Sequence, residues 1–147
     1  MKLISHRGNI DGKDALSENA PNYIDSAIQL GYDVEVDIWY IGDKLYLGHD
    51  FAEYQIDISW LENRKSKLWI HCKNHPALEL IYDTDLHYFW HDEDDVTITS
   101  KGIIWSHPKI KPIKNSIAVL PEAHNFGVDM CLGVCSDYIK RYKDESK

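Results

Sequence analysis

Residues 31–40 have the sequence GYDVEVDIWY, in which β-branched and aromatic residues surround two acids. This composition predicts a β-strand over residues 32–40, with Gly31 ending the helix before it. Because successive side chains of a strand point to opposite faces, Glu35 and Asp37 share one face while their apolar neighbours pack on the other. The segment therefore predicts a strand that presents two adjacent carboxylates.

The segments before and after this strand are also predicted to form regular secondary structure. Residues 3–6 are predicted to form a short strand that runs into a loop at Gly8, and residues 17–31 have the apolar spacing of a helix. Asn19 is the predicted cap of that helix, with a proline in its first turn. Residues 44–47 follow a Gly-Asp turn as a hairpin partner.

Later elements are shorter and closer together. A short helix near Trp60, a strand over 68–72 and a helix over 76–82 are predicted, and further strands are predicted at 87–90, 96–99, 102–106, 117–120 and 132–135. Early alternation of strand and helix favours an α/β fold with a parallel sheet. A complete (β/α)₈ barrel usually needs about 200 residues or more, so a barrel of this length must have shortened or missing outer helices.

Composition restricts both the organisation of the chain and its partners. The 147 residues are 44% hydrophobic and contain no linker or repeat, which predicts a single domain over residues 1–147. A formal net charge of −8 argues against nucleic-acid binding, which depends on Lys and Arg that neutralise phosphates. The last residues, 140–147, are almost wholly polar and predict a frayed helical tail.

Neither a secretory signal nor a long apolar run is visible, so no stable membrane insertion is expected. Three cysteines are an odd number and do not suggest a disulfide framework, which favours a cytoplasmic location. Cys131 and Cys135 lack CxxC spacing and are predicted to be buried apolar residues.

The residues that neighbour Glu35 and Asp37 favour a functional site for the two acids. Adjacent unpaired carboxylates repel, and a divalent cation relieves that repulsion. An isolated Glu-x-Asp is more often an exposed acidic face, but here the preceding strand ends in His6 and Arg7, and the following hairpin ends in His49. Phosphodiester displacement needs charge neutralisation, a base and an acid, and these side chains with a metal would supply all three.

Four short motifs follow one another over the first third of the chain: His6-Arg7-Gly8, Glu18-Asn19, Glu35-Val36-Asp37 and His49-Asp50. In this order and spacing they resemble the signature of the glycerophosphodiester phosphodiesterase family.

The resemblance implies a TIM-type barrel with its site at the carboxyl ends of the strands. It implies His6 and His49 as the general acid/base pair and Arg7 at the phosphate. It also implies that Glu35 and Asp37 hold Mg²⁺ or Ca²⁺.

Three further residues are implied less directly. Glu18 would lie near the metal and substrate, although a structural role at the helix start is equally compatible. The family carries Glu-x-Lys on a later strand, where this chain has His71-Cys72-Lys73. Lys73 therefore matches as a catalytic and substrate-binding residue. His71, which replaces the acid, is predicted to be a metal ligand, with a packed structural residue as the alternative. Since imidazole is neutral and softer than carboxylate, either the metal would differ or it would be held more weakly.

The rest of the chain matches the family less well. Residues 133–137 resemble a late barrel strand that ends in an acid. Five other side chains either line a pocket or pack in the core, namely Trp90, His91, Trp105, His107 and Glu122.

The leading hypothesis is a metal-dependent hydrolase of a small phosphodiester, with water or an internal hydroxyl of the substrate as nucleophile. An alternative is a non-catalytic module that binds phosphate or a phospholipid headgroup on the same fold, favoured by the replacement at His71. A third is an interaction protein with idle motifs. A barrel without its outer helices would expose apolar surface that a homodimer could cover.

Overall fold

The computed structural model describes residues 1–145, and its longest strand is the predicted acidic one. The strands of this part of the chain are β1 (Lys2–His6), β2 (Asp33–Ile41), β3 (Lys44–Leu47), β4 (Tyr54–Ile56), β5 (Leu68–Cys72), β6 (Tyr88–Trp90), β7 (Val96–Ile98), β8 (Ile104–Ser106), β9 (Ile117–Val119) and β10 (Gly133–Ser136). All of them belong to one sheet. Every strand predicted from the sequence is present, and only β4 was not foreseen.

The sheet is built around parallel strands in the order β6-β5-β2-β1-β10-β9-β8. β3 and β4 extend the far end of β2 as antiparallel strands, and β7 pairs antiparallel with β8. A connection between two parallel strands needs a dozen or more residues. Residues 99–103, which join β7 to β8, are long enough only for a turn, so these two strands are antiparallel. The result is a mixed α/β fold whose sheet curls into a half-barrel.

Helices are few and cover one side of the curl. They are α1 (Pro21–Gln29), α2 (Ile58–Glu62), α3 (His75–Ile81) and α4 (Ile139–Glu145), with a 3₁₀ turn at Pro121–His124. Within residues 1–145, no α-helix lies between β6 and β10, as expected for shortened outer helices. The predicted tail is helical as far as Glu145, and its residues 146–147 lie outside the described part.

The two faces of the sheet have separate cores. Val34, Val36 and Ile38 are fully buried on the convex face, where they pack in the same cluster as residues of α1 and α3. The concave face holds a second cluster drawn from six strands: Ile4, Trp69, Phe89, Trp105, Ile117, Val119 and Cys135. Side chains of six strands meet because the sheet curls around them, and this cluster forms the floor of the cavity described below.

The segment around β7 contacts β6 across the opening of the curl. The Ser100 amide donates to the Tyr88 carbonyl at 2.8 Å, and the Thr97 hydroxyl donates to the Trp90 carbonyl at 2.9 Å. On the outer side of β7, Val96 and Ile98 are exposed. Apolar exposure in this helix-poor region fits the predicted homodimer, which stays a prediction.

Two other expectations can be compared with the structure. Cys72 and Cys135 are buried free thiols, but Cys131 is only half-buried, because it lies in the turn that its amide closes onto Val128. The prediction that Cys131 is buried is therefore wrong. None of the helices in residues 1–145 has the length and apolar character needed to cross a membrane.

Candidate active site

Polar side chains stand at the carboxyl ends of the parallel strands, on the concave face. Strand pairing places His6 beside Glu35, and Asp37 beside His71. In-register neighbours of a parallel pair share a face, so these four side chains point the same way. The first parallel strands therefore bring together the residues predicted for catalysis and for metal binding.

Glu35 and Asp37 form a buried acid pair, with exposed fractions of 3% and 0%. In the part of the chain that the structure describes, Glu35 Oε2 and Asp37 Oδ1 have no hydrogen-bond partner. Burial, and next the charge of Asp37, raise the pKa of Glu35 well above its usual range. Burial acts against ionisation of Asp37 too, but contacts with His49 and Arg7 hold its pKa well below the usual range.

We expect Glu35→Gln to stabilise the metal-free protein. Because the pKa of Glu35 is higher in the folded protein than in the unfolded chain, ionisation of Glu35 destabilises the fold. This loss of stability grows as the pH rises above about 4.3, the pKa of glutamate in an unfolded chain. Thermal unfolding with chelator should show little difference near pH 4, and a variant more stable by roughly 1–3 kcal/mol at pH 8. Glu79→Gln, at an exposed site on α3, is the matched control. A less stable Glu35→Gln at pH 8 would contradict the burial argument.

Asn19 fixes the orientation of Asp37. Its amide nitrogen donates to Asp37 Oδ2 at 2.9 Å, and its side-chain oxygen accepts from the Asp37 amide at 3.0 Å. Arg7 Nε lies 3.2 Å from the same Oδ2. Asn19 has a positive φ of 65°, and the N-cap of α1 is Ala20, so the predicted capping role is wrong. One carboxylate oxygen of Asp37 is thus held by the protein, and Oδ1 is left for another ligand.

His71 faces that second oxygen. Its Nε2 lies 3.0 Å from the His91 carbonyl, which can only accept, so Nε2 carries a proton. In the neutral ring Nδ1 is then an acceptor, yet it lies 3.0 Å from Asp37 Oδ1. A cation would relieve this contact between two acceptors.

Two groups of ligand-type side chains have atoms within 4.8 Å of one another among residues 1–145. One is the predicted set of Glu35, Asp37 and His71. The other joins His6, Glu18 and Asp137, but its acids are already hydrogen-bonded, because Asn9 donates to Glu18 at 2.6 Å and to Asp137 at 2.8 Å. The first set, with unpaired oxygens, fits a divalent cation, and the second forms a hydrogen-bond network.

His6 is held by Asp137. Its Nδ1 donates to Asp137 Oδ1 at 2.7 Å, and its Nε2 points toward Glu35 Oε2 at 3.5 Å. Burial opposes ionisation of Asp137, but the contacts with His6, Asn9 and Arg7 lower its pKa. An ionised acid at Nδ1 fixes the tautomer and leaves Nε2 facing the cavity, as a proton-transfer residue requires.

Arg7 and His49 lie against each other above the acids. Arg7 NH2 donates to His49 Nε2 at 3.2 Å, and His49 Nδ1 lies 3.6 Å from Asp37 Oδ2. Gly48 makes this possible, since its φ is 154° and a Cβ there would overlap the Phe51 carbonyl oxygen. Arg7 also lies 3.5 Å from Glu18, which therefore orients Arg7 rather than joining the acids around Asp37.

Two cavities meet at these residues. An inner cavity of about 220 Å³ is lined by Lys73, His91, Trp105 and His107 together with His6, Arg7 and His49, and an outer cavity of about 550 Å³ shares the last three. Trp90 and Glu122 do not line either of them. Trp90 packs on the convex face, and Glu122 accepts from Ser136 at 2.8 Å.

No pattern in the sequence indicates Asn9, and the sequence leaves the role of His91 and His107, which follow β6 and β8, undecided. A signal for the latter was present, because the same spacing recurs at four strand ends: Ile4-x-His6, Trp69-x-His71, Phe89-x-His91 and Trp105-x-His107. In each pair the first residue belongs to the concave core, and the histidine follows two positions later at the cavity. Asn9 carries no comparable pattern, since it lies in an irregular loop.

Comparison of the chain with protein-family models, with curated proteins and with solved structures finds no match.

Proposed function

We propose that this protein is a metal-dependent phosphodiesterase that hydrolyses a small phosphodiester such as a glycerophosphodiester, on a reduced TIM-type barrel. The observation that supports it most is the buried acid pair with unpaired oxygens, next to Arg7 and to two histidines, His6 and His49, that line both cavities. Phosphodiester cleavage requires groups that neutralise charge and groups that transfer protons. The acid pair, with a bound cation, and Arg7 serve the first requirement, and the two histidines serve the second.

Glu35, Asp37 and His71 would hold the cation, proposed to be Mg²⁺ or Ca²⁺. Their unpaired oxygens and the acceptor contact between His71 and Asp37 suit a positive ion. When bound, the cation would neutralise charge on the phosphoryl oxygens.

The remaining side chains have separate roles in the proposal. Arg7 donates to the phosphate, and it is oriented for this by acceptors on Glu18 and Asp37. His6, anchored by Asp137, takes the proton of the attacking oxygen. When Arg7 turns from His49 Nε2 to the phosphate, that nitrogen is free to carry a proton, and His49 gives it to the departing alcohol oxygen as the phosphorus–oxygen bond breaks. Lys73, in the inner cavity, adds positive charge beside the phosphate.

The test is a panel of phosphodiesters assayed with Mg²⁺, Ca²⁺, Mn²⁺ or chelator. The panel should contain glycerophosphodiesters, nitrophenyl diesters and a phosphomonoester. We expect turnover of diesters that chelator removes and added cation restores. Turnover that persists in chelator would contradict the metal, and preference for the monoester would contradict the reaction class.

We expect His71→Glu to bind Mg²⁺ about 10-fold more tightly than the wild type, because hard cations prefer carboxylate oxygen to imidazole nitrogen. Calorimetric titration measures this directly. His75→Glu is the matched control, since His75 is exposed at the start of α3 and gains the same charge outside the site. Equal Mg²⁺ affinity in wild type and His71→Glu would show that His71 does not contact the ion.

A second candidate is a module that binds phosphate or a phospholipid headgroup without turnover. One observation favours it: Arg7 occupies the outer nitrogen of His49, so that nitrogen is not free in this arrangement. Phosphate binding by calorimetry, with no turnover on the whole panel, would favour this candidate over the hydrolase.

A further inference from the structure

Asn9 is a fully buried polar residue to which the proposed chemistry gives no role. It lies in the loop after β1, and its exposed fraction is 0%. Its amide nitrogen donates to Glu18 Oε2 at 2.6 Å and to Asp137 Oδ1 at 2.8 Å. Its side-chain oxygen accepts from the Tyr23 hydroxyl at 3.0 Å and from the Asp14 amide at 3.2 Å. Both protons and both lone pairs of the side-chain amide are therefore used.

The backbone of Asn9 is held as firmly as its side chain. Its amide donates to the His6 carbonyl at 3.0 Å, and its carbonyl accepts from the Ser5 hydroxyl at 2.9 Å. Ser5 and His6 are the last two residues of β1, so these hydrogen bonds tie the loop to the end of a central strand. Asn9 cannot turn without losing several hydrogen bonds at once, and it is thus a rigid point beside the candidate active site.

The two acids that Asn9 joins need such a bridge. Oxygens of Glu18 and Asp137 lie within 4.8 Å of each other, at which distance two ionised carboxylates repel. An amide that donates to both offsets this repulsion. Among residues 1–145, Asp137 accepts from two side chains, His6 and Asn9, and both reach Oδ1. Without Asn9, the 14% exposed side chain of Asp137 would be held by His6 alone.

We propose that Asn9 is a positioning residue that fixes the ring of His6 through Asp137. This inference rests on the proposed function, in which His6 takes the proton of the attacking oxygen. Asn9 holds the carboxylate oxygen that accepts from His6 Nδ1 at 2.7 Å. The precision matters because a displacement of about 1 Å in the reacting groups can cost on the order of 10²-fold in rate.

The first measurement needs no substrate. The proton on His6 Nδ1 forms a short hydrogen bond to a carboxylate, so its proton NMR resonance should lie downfield of the backbone amides. Loss of this resonance in His6→Gln assigns it. In Asn9→Ala, which removes all side-chain hydrogen bonds of Asn9, the resonance should move upfield or broaden through exchange with water. Asn22→Ala, at an exposed position on α1, is the matched control and should leave the resonance unchanged.

The second measurement is turnover of a phosphodiester. Asn9→Ala should lower kcat by on the order of 10²-fold, while Mg²⁺ affinity stays close to that of the wild type. Residues that act as a unit have non-additive effects, so Asn9→Ala should cost little further when it is added to His6→Ala. A merely structural role of Asn9 would lower kcat again in that background.

Tyr23→Phe is a milder variant that tests the same inference if Asn9→Ala does not fold. It removes one hydrogen bond to Asn9 and keeps the ring that packs on Gly8. We expect kcat to fall by about 2- to 10-fold, in proportion to the single hydrogen bond lost, and only where His6 is present. The backbone amide spectrum of each variant shows whether it is folded.

The outcomes separate this inference from the hydrolase proposal. Full activity in folded Asn9→Ala, an unchanged His6 resonance, or an equal loss of kcat with and without His6 overturns this inference and leaves the hydrolase standing. A resonance that moves in Asn9→Ala, in a protein that turns over no diester, supports the positioning of His6 and overturns the hydrolase. Absence of the downfield resonance from the wild type overturns this inference, since His6 is then not held at Asp137.

Discussion

Divalent cation binding should be lost when Glu35→Gln and Asp37→Asn are combined. The double variant keeps the shape of both side chains but removes the charge that makes the buried pair a site for a cation. Asp37→Asn also exchanges Oδ1, the oxygen that faces His71, for a neutral amide group. Calorimetry with Mg²⁺ and Ca²⁺ should give a measurable affinity for the wild type and none for the double variant.

The same strand supplies the control. Asp33 precedes the pair on the same face, but its carboxylate accepts from the Trp69 indole at 3.0 Å and belongs to the opposite end of the sheet. Asp33→Asn should therefore bind cations as the wild type does. As a second readout, cation at 100 times its Kd should stabilise the wild type by about 2.7 kcal/mol and the double variant not at all. Equal affinity in wild type and double variant would place the cation elsewhere.

The sequence predicted the strands well because their signal is local. The period of two in β2 assigns its acids to one face and its valines to the other, and the structure has this arrangement. The direction of β7 depends on chain length instead, since a five-residue connection turns back where a longer one could cross over. The full extent of the curl depends on contacts between distant segments, such as Ser100 with Tyr88, which no local pattern reveals.

Parts of the candidate site could not be predicted for a related reason. Asn19 precedes a proline-started helix and so has the sequence signature of a cap, but its left-handed backbone turns the side chain toward Asp37. Arg7 likewise has a positive φ, of 57°, which directs it across the strand ends toward His49. Backbone conformations of this kind are decided by the surrounding structure, and the residue type alone does not indicate them.

The largest loss of turnover from a single residue is expected for His6→Ala. In the proposed function His6 removes the proton of the attacking oxygen. His6 Nδ1 donates to Asp137 Oδ1 at 2.7 Å, which leaves His6 Nε2 free for this transfer. Removing a general base typically costs 10²–10⁴-fold in rate, and kcat should fall by about this factor. Metal affinity should stay close to that of the wild type, since His6 is not in the proposed metal set. His75→Ala, at an exposed histidine, should retain full activity.

The leaving group distinguishes the roles of the two histidines. A nitrophenolate departs without a proton, whereas an alkoxide needs one, so loss of a general acid is largely masked with a nitrophenyl diester. His49→Ala should therefore be impaired much more on an alkyl diester than on a nitrophenyl diester. His6→Ala should be impaired equally on both, because the attacking oxygen must lose its proton in either case. The reverse pattern would exchange the two roles, and full activity of His6→Ala on both diesters would remove His6 from the mechanism.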